Sequence, residues 1–189
     1  MSTPREVAVF VGSLRKESYS RKLALAMMGL APASLRPAIV EIAHLPMYNQ
    51  DLDTDSAPAS WVALRRRVKE ADAVLFVTPE YNRSVPAVLK NALDVASRPY
   101  GASAWNGKPG AVVSNSPGAI GGFGANHHLR QSLVFLNVPT MQQPEAYVGH
   151  VDKLFGAQGE ITVEATRTFL AQFMQAYADW IETLLAGRG

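Results

Sequence analysis

The chain has no cysteine among its 189 residues, which removes disulfides, thiolate zinc sites, thiol nucleophiles and cysteine-ligated iron–sulfur clusters together. Any redox chemistry therefore requires a borrowed cofactor. Charge is scarce as well. Asp, Glu, Lys and Arg make up 18% of the chain, against about 25% in an average soluble domain, so part of the surface is expected to be covered by a second copy. The excess of cations is only +2, far too small for binding driven by counterion release, and no nucleic-acid partner is expected. Long hydrophobic runs are missing too. The first, Val7–Val11, stops at Gly12, too short for a signal-peptide core or a membrane span. A cytoplasmic protein with no membrane contact is the expectation.

No repeat, low-complexity tract or linker divides the sequence, so residues 1–189 read as one domain. Short β-branched or aromatic runs at Val7–Val11, Ala38–Ile42, Ala73–Val77 and Ala111–Val113 read as buried strands. Val138–Met141 is a weaker fifth, assigned to a sheet edge because Pro139 interrupts it. Between the runs the apolar period becomes helical: Leu23, Met27, Leu30; then Trp61, Leu64, Val68, Ala71; then Val85, Leu89, Ala92, Ala96; then Leu129, Leu133, Leu136. A long last helix carries Phe169, Phe173, Tyr177, Trp180 and Leu184. Alternation of this kind implies a parallel sheet covered on both faces, a three-layer α/β fold. Five strands suit the flavodoxin-like order 2-1-3-4-5, whose ligands lie beyond the carboxyl ends of the strands.

The loop after the first strand, GSLRKESYS from Gly12 to Ser20, gathers hydroxyls and two cations around a helix N-terminus. Free N–H groups and the positive end of the helix dipole suit a phosphate there, and Arg15 can add a bidentate pair. Neither G-x-G-x-x-G nor a P-loop is present, which favours one terminal phosphomonoester. From this segment alone, a helix capped by Ser18 beside a solvated Arg15-Lys16 turn fits equally well. After the third strand, Thr78–Pro86 contains two prolines that fix an irregular backbone. Exposed peptide groups there can read the edge of a planar heterocycle such as isoalloxazine, with Tyr81 as an aromatic wall.

These two loops, the second continuing as PEYNRSVPAVLKNALDVASRP, resemble the NADPH-dependent FMN reductase family and especially its quinone and chromate reductase branch. The resemblance runs from Val7 to about Val148 and takes in the Pro46–Leu52 segment and His128-Leu129-Arg130-Gln131. It implies bound FMN, with the phosphate held by Ser13, Arg15, Ser18 and Ser20 and the ring held by Pro79, Glu80, Tyr81 and Asn82, with Ser84 close behind. Asn115, Ser116 and Gly118, after the fourth strand, border the ring. The chain departs from relatives at three places: Ser20 where many have Asn, Glu17 where Gly is frequent, and Gly124 where some have Arg.

Adjacent His127 and His128 diverge by about 100° on a helix, which argues against a chelating pair. Arg65-Arg66-Arg67 reads as the wet face of the second helix, and Lys90, Asn91 and Asp94 as a polar stripe on the helix that the family uses to dimerise. The implied activity is transfer of hydride from NADPH or NADH through FMN to a quinone or another small acceptor such as chromate, an azo dye or a nitro compound, in a ping-pong cycle. The flavin carries that chemistry, so no catalytic side chain is required and Tyr81 serves as the stacking residue. The alternatives are a reductase that releases reduced FMN and a flavodoxin-type electron carrier. The expected assembly is a homodimer, with a homotetramer as the alternative.

Overall fold

The computed structural model describes residues 3–187. Five strands form one parallel sheet in the order β2-β1-β3-β4-β5: β1 Arg5–Val11, β2 Leu35–Ile39, β3 Ala73–Thr78, β4 Gly110–Asn115 and β5 Ala146–Val148. The helices are α1 Tyr19–Gly29, α2 Ala59–Glu70, α3 Ala87–Ala96, α4 Phe123–Phe135 and α5 Glu164–Ala186. This is the expected flavodoxin-like topology.

The central strands are buried throughout, so their residues read as unbroken apolar runs, yet the pleat still sorts them by face. Val7, Val9, Leu75, Val77 and Val113 point to one layer, where they meet Leu23 and Met27 of α1 and Phe173, Tyr177 and Ile181 of α5. Ala8, Phe10, Val74, Phe76 and Val112 point to the other, against Trp61 of α2, Leu89 and Leu93 of α3 and Leu129 of α4. Trp105 packs edge-on to Phe10 with ring centroids 5.2 Å apart, and its Nε1 donates to the Leu93 carbonyl at 2.9 Å. The fully buried Tyr177 hydroxyl donates to the Val74 carbonyl at 2.7 Å, and burial pushes its pKa up.

Two strands are displaced from the sequence expectation. β2 lies at Leu35–Ile39, three residues earlier than Ala38–Ile42, because its ladder runs in register with Arg5–Val9 of β1. As an edge strand it tolerates Pro37, while Ile42 leaves the sheet to pack in the α2/α3 layer. The fifth strand is Ala146–Val148, paired with Val113–Asn115, and not Val138–Met141. That earlier segment makes only an isolated bridge, Thr140 to Gly110, since Pro139 has no N–H with which to extend a ladder.

Candidate functional site

The chain runs from β1 to β2 in one direction and from β3 to β4 in the other, so a crevice opens between the loops after β1 and β3. Gly12 brings the loops together. A Cβ at that position would lie 2.7 Å from Thr78 Oγ1 and 3.1 Å from Pro79 Cδ, so a larger residue would force the loops apart.

The loop after β1 leaves its donors largely unspent. Arg15 is exposed, and among the described residues its guanidinium has no hydrogen-bond or ion-pair partner. Ser13 is half-buried, and its hydroxyl touches only the Arg15 N–H, at 3.5 Å. Ser18 is the N-cap of α1 and accepts from the Arg21 N–H at 3.1 Å, which is the capping reading of this serine; an oxygen that caps in this way still carries a hydroxyl proton able to donate. Ser20 turns inward. It is 1% exposed and exchanges hydrogen bonds with the Asn115 amide at 3.0 and 3.2 Å, which ties α1 to the end of β4.

The loop after β3 is a tight hairpin. Tyr81 and Ser84 exchange backbone bonds at 3.1 and 2.9 Å, and between them Asn82 and Arg83 have φ of 51° and 61°. Two left-handed central residues mark a type I′ turn, in which Asn is favoured and Arg is strained. Tyr81 is half exposed at its base. The Glu80 carboxylate accepts from the Ala125 N–H at 3.0 Å and from Arg83 at 3.0 Å, and Ser84 Oγ lies 2.8 Å from His128 Nδ1. Pro79 is half-buried at the start of the turn.

After β4, Asn115 is buried and also donates to the Thr78 carbonyl at 3.2 Å, so one amide joins the ends of α1, β3 and β4. Ser116 Oγ closes a turn by accepting from the Gly118 N–H at 3.0 Å. Gly118 and Ile120 lie exposed above it.

Three polar groupings escaped the sequence reading. Arg65 is not on a wet face: it forks onto Asp53 at 2.8 and 2.9 Å, and the side chains are 13% and 7% exposed. Of the three arginines only Arg66 is exposed, and Arg67 is half-buried. Asn91 is likewise buried, accepting from the Tyr48 N–H and donating to the Pro46 carbonyl, so the α3 stripe reduces to the Lys90–Asp94 pair. Both buried groups fasten the long loop after β2. The third grouping is on the other side of α4, where the Tyr147 hydroxyl donates to Glu145 at 2.7 Å and receives His127 Nε2–H at 2.9 Å. Burial first, then the Glu145 carboxylate, push the Tyr147 pKa up to about 12. The two histidines thus serve different partners. Partners 12 residues apart for Arg65 and Asp53, and 20 for His127 and Tyr147, leave no local pattern that would announce such pairs.

Cavity size does not mark the site. A cavity of about 410 Å³ is lined by Arg130, Val138 and Trp180, away from the ends of β1 and β3. The donor set fits FMN: an unpartnered guanidinium and free N–H groups at the start of α1 suit a phosphate, and a fixed backbone turn beside a half-exposed ring suits the flavin edge.

Fold and site together define a flavodoxin-like protein whose crevice at the switch point of the sheet suits a phosphorylated aromatic cofactor. Residues 5–153 match the model of the NADPH-dependent FMN reductases, and the chain belongs to that family. It is 59% identical over 182 residues to a quinone reductase of Pseudomonas putida, covering 96% of this chain and 97% of that one. A 2-hydroxy-1,4-benzoquinone reductase of Burkholderia sp is 48% identical, with 93% and 96% covered. Among solved structures, the flavoenzyme NAD(P)H:acceptor oxidoreductase FerB of Paracoccus denitrificans superposes with a TM-score of 0.89 at 45% identity, covering 95% and 98% of the two chains.

Proposed function

We propose that the protein is an FMN-dependent NAD(P)H oxidoreductase that delivers two electrons to quinones or other small electrophilic acceptors. The observation that carries the reading is the pairing at one crevice of a loop whose Arg15 and Ser13 are unspent anion donors with a hairpin whose Glu80, Arg83 and Ser84 side chains are engaged within the protein. When bound, FMN supplies the hydride chemistry. Arg15, Ser13, the Ser18 hydroxyl and the N–H groups at the head of α1 bind the phosphate, while Ser20 acts from behind by fixing Asn115. Pro79, Glu80, Asn82 and Ser84 shape the backbone that meets the ring, and the Ser116–Gly118 turn borders its edge. Tyr81 offers an aromatic face to an incoming nicotinamide or quinone.

The relatives named as quinone reductases support this reading over release of free reduced flavin. A homodimer is proposed through the outer ends of α3 and α4, where Val134 and Phe135 are 78% and 76% exposed, more than isolated monomers ordinarily leave on one helix end. No described helix is long and apolar enough to cross a membrane.

The test is an anaerobic titration of the FMN-loaded protein with NADPH, followed by a benzoquinone. Bleaching of the flavin band by NADPH and its return with quinone is the expected result. A band that dithionite bleaches but NADPH leaves unchanged would replace this reading with an electron carrier.

A further inference from the structure

α4 begins in an unusual way. Its N-cap is Gly122, at φ 75°, which brings no side chain to the free N–H groups of the first turn. The capping oxygen comes instead from Glu80, 45 residues upstream, whose Oε2 accepts from the Ala125 N–H at 3.0 Å. A carboxylate at this end also complements the helix dipole. The other oxygen, Oε1, accepts from Arg83 at the strained tip of the hairpin. α4 is itself fixed to the sheet, because buried Asn126 donates to Ser114 Oγ and to the Ala146 carbonyl. The line of contacts therefore runs from sheet to α4 to Glu80 to the hairpin that presents Tyr81.

Gly124 makes this docking possible. A Cβ there would sit 2.9 Å from Glu80 Oε2 and 3.1 Å from the Arg83 carbonyl oxygen. The first contact is with a carboxylate already committed to Ala125, and the second is with backbone, so the hairpin would have to retreat by a few tenths of an ångström.

Resting on the oxidoreductase reading, we propose that Gly124 and Glu80 are positioning residues for the acceptor: glycine at 124 lets the Glu80 carboxylate cap α4, and the cap holds Tyr81 where an aromatic acceptor stacks. Neither residue touches the acceptor. Gly124 is thus a determinant of where the ring-binding hairpin sits.

The experiment is a double-mutant cycle on the FMN-loaded protein with Gly124→Ala, Glu80→Ala and the pair, with Glu80→Gln as the conservative variant. Gly124→Ala and Glu80→Ala are expected to raise the KM for a benzoquinone about 3- to 10-fold with a much smaller change in kcat, as misplacement of a binding wall should. In the pair the two effects should not multiply, since both act through one cap. Glu80→Gln keeps an acceptor for the Ala125 N–H and should restore most of the KM. Independently of turnover, hydrogen exchange at the Ala125 amide should quicken about fivefold in Glu80→Ala, as for the loss of one helix cap, and not in Glu80→Gln. Multiplying effects, or lowered thermal midpoints with unchanged KM and unchanged Ala125 exchange, would overturn the proposal. Wild-type protein that NADPH cannot bleach would sink the oxidoreductase reading instead, with the exchange measurement still reporting on the cap.

Discussion

The loops after β1 and β3 lie side by side in the crevice and are built on opposite plans. The first ties Ser18 and Ser20 into the protein but leaves Arg15 and Ser13 with almost nothing to hold among the described residues. The second spends Glu80, Arg83 and Ser84 on contacts within the protein and leaves a backbone turn and the Tyr81 ring exposed. The difference follows from what each has to bind. A phosphate is recognised by charge and tolerates donors that close in on it. A planar ring needs donors fixed in advance, because a mobile turn would lose the alignment on which hydride transfer depends.

The largest effect should come from the free loop. Arg15→Ala is expected to weaken FMN binding about 10- to 100-fold, on the order of 1.5–3 kcal/mol for a charge-assisted pair, while the apoprotein melts nearly unchanged because the guanidinium makes no hydrogen bond or ion pair among the described residues. Flavin fluorescence titration beside a thermal melt of the apoprotein checks both halves. An apoprotein that melts markedly lower would show that Arg15 is tied down after all, and the contrast would fail.

Next comes the point where the two plans meet. Asn115→Ala would strand the buried Thr78 carbonyl and the Ser20 hydroxyl, at a cost of about 2 kcal/mol in folding stability. Denaturant unfolding of the apoprotein is the check, with Ser20→Ala expected to cost less because the Asn115–Thr78 bond survives.

The loop after β2 extends the contrast to a third region, and its fastening is sensitive to acid. The Arg65 guanidinium, ahead of the smaller contribution of the Tyr48 hydroxyl, holds the Asp53 carboxyl below its ordinary value. A lowered folded pKa gives stability that is complete above the unfolded value and lost as pH falls through the folded one. Unfolding curves taken from pH 6 downward through the carboxylate range should therefore show the wild type losing more stability than Asp53→Asn, whose side chain does not titrate.

Much of this was legible in the sequence, and the limits have physical causes. Buried central strands and helical stripes announced themselves by period, so β1, β3 and β4 lay close to where the apolar runs are. Edge strands did not. β2 is half-exposed and β5 is only three residues long, and their registers are set by pairing with β1 and β4, which no local pattern encodes. The loops after β1, β3 and β4 were found because strand order directs ligands to them. Which side chains face a ligand and which face the protein was hidden, since Ser20, Glu80 and Asn91 have partners 95, 45 and 43 residues away. Arg65 was hidden for the same reason, because a run of three arginines says nothing about an aspartate in the preceding loop.

The smallest effect should be at the hairpin tip. Arg83 occupies a left-handed position that suits glycine, at a cost of about 1 kcal/mol. Its pair with Glu80 is 73% exposed on the arginine side, and such pairs give about 0–1 kcal/mol. The two contributions nearly cancel, so Arg83→Gly should leave the thermal stability within about 0.5 kcal/mol of the wild type. Glu80 keeps its bond to the Ala125 N–H in that variant, so the hairpin should also keep its place and FMN affinity should change less than twofold. A thermal melt and a flavin titration on the same preparation decide it: a loss of affinity as large as that of Arg15→Ala would mean that Arg83 contacts the cofactor, and the two loops would then follow one plan.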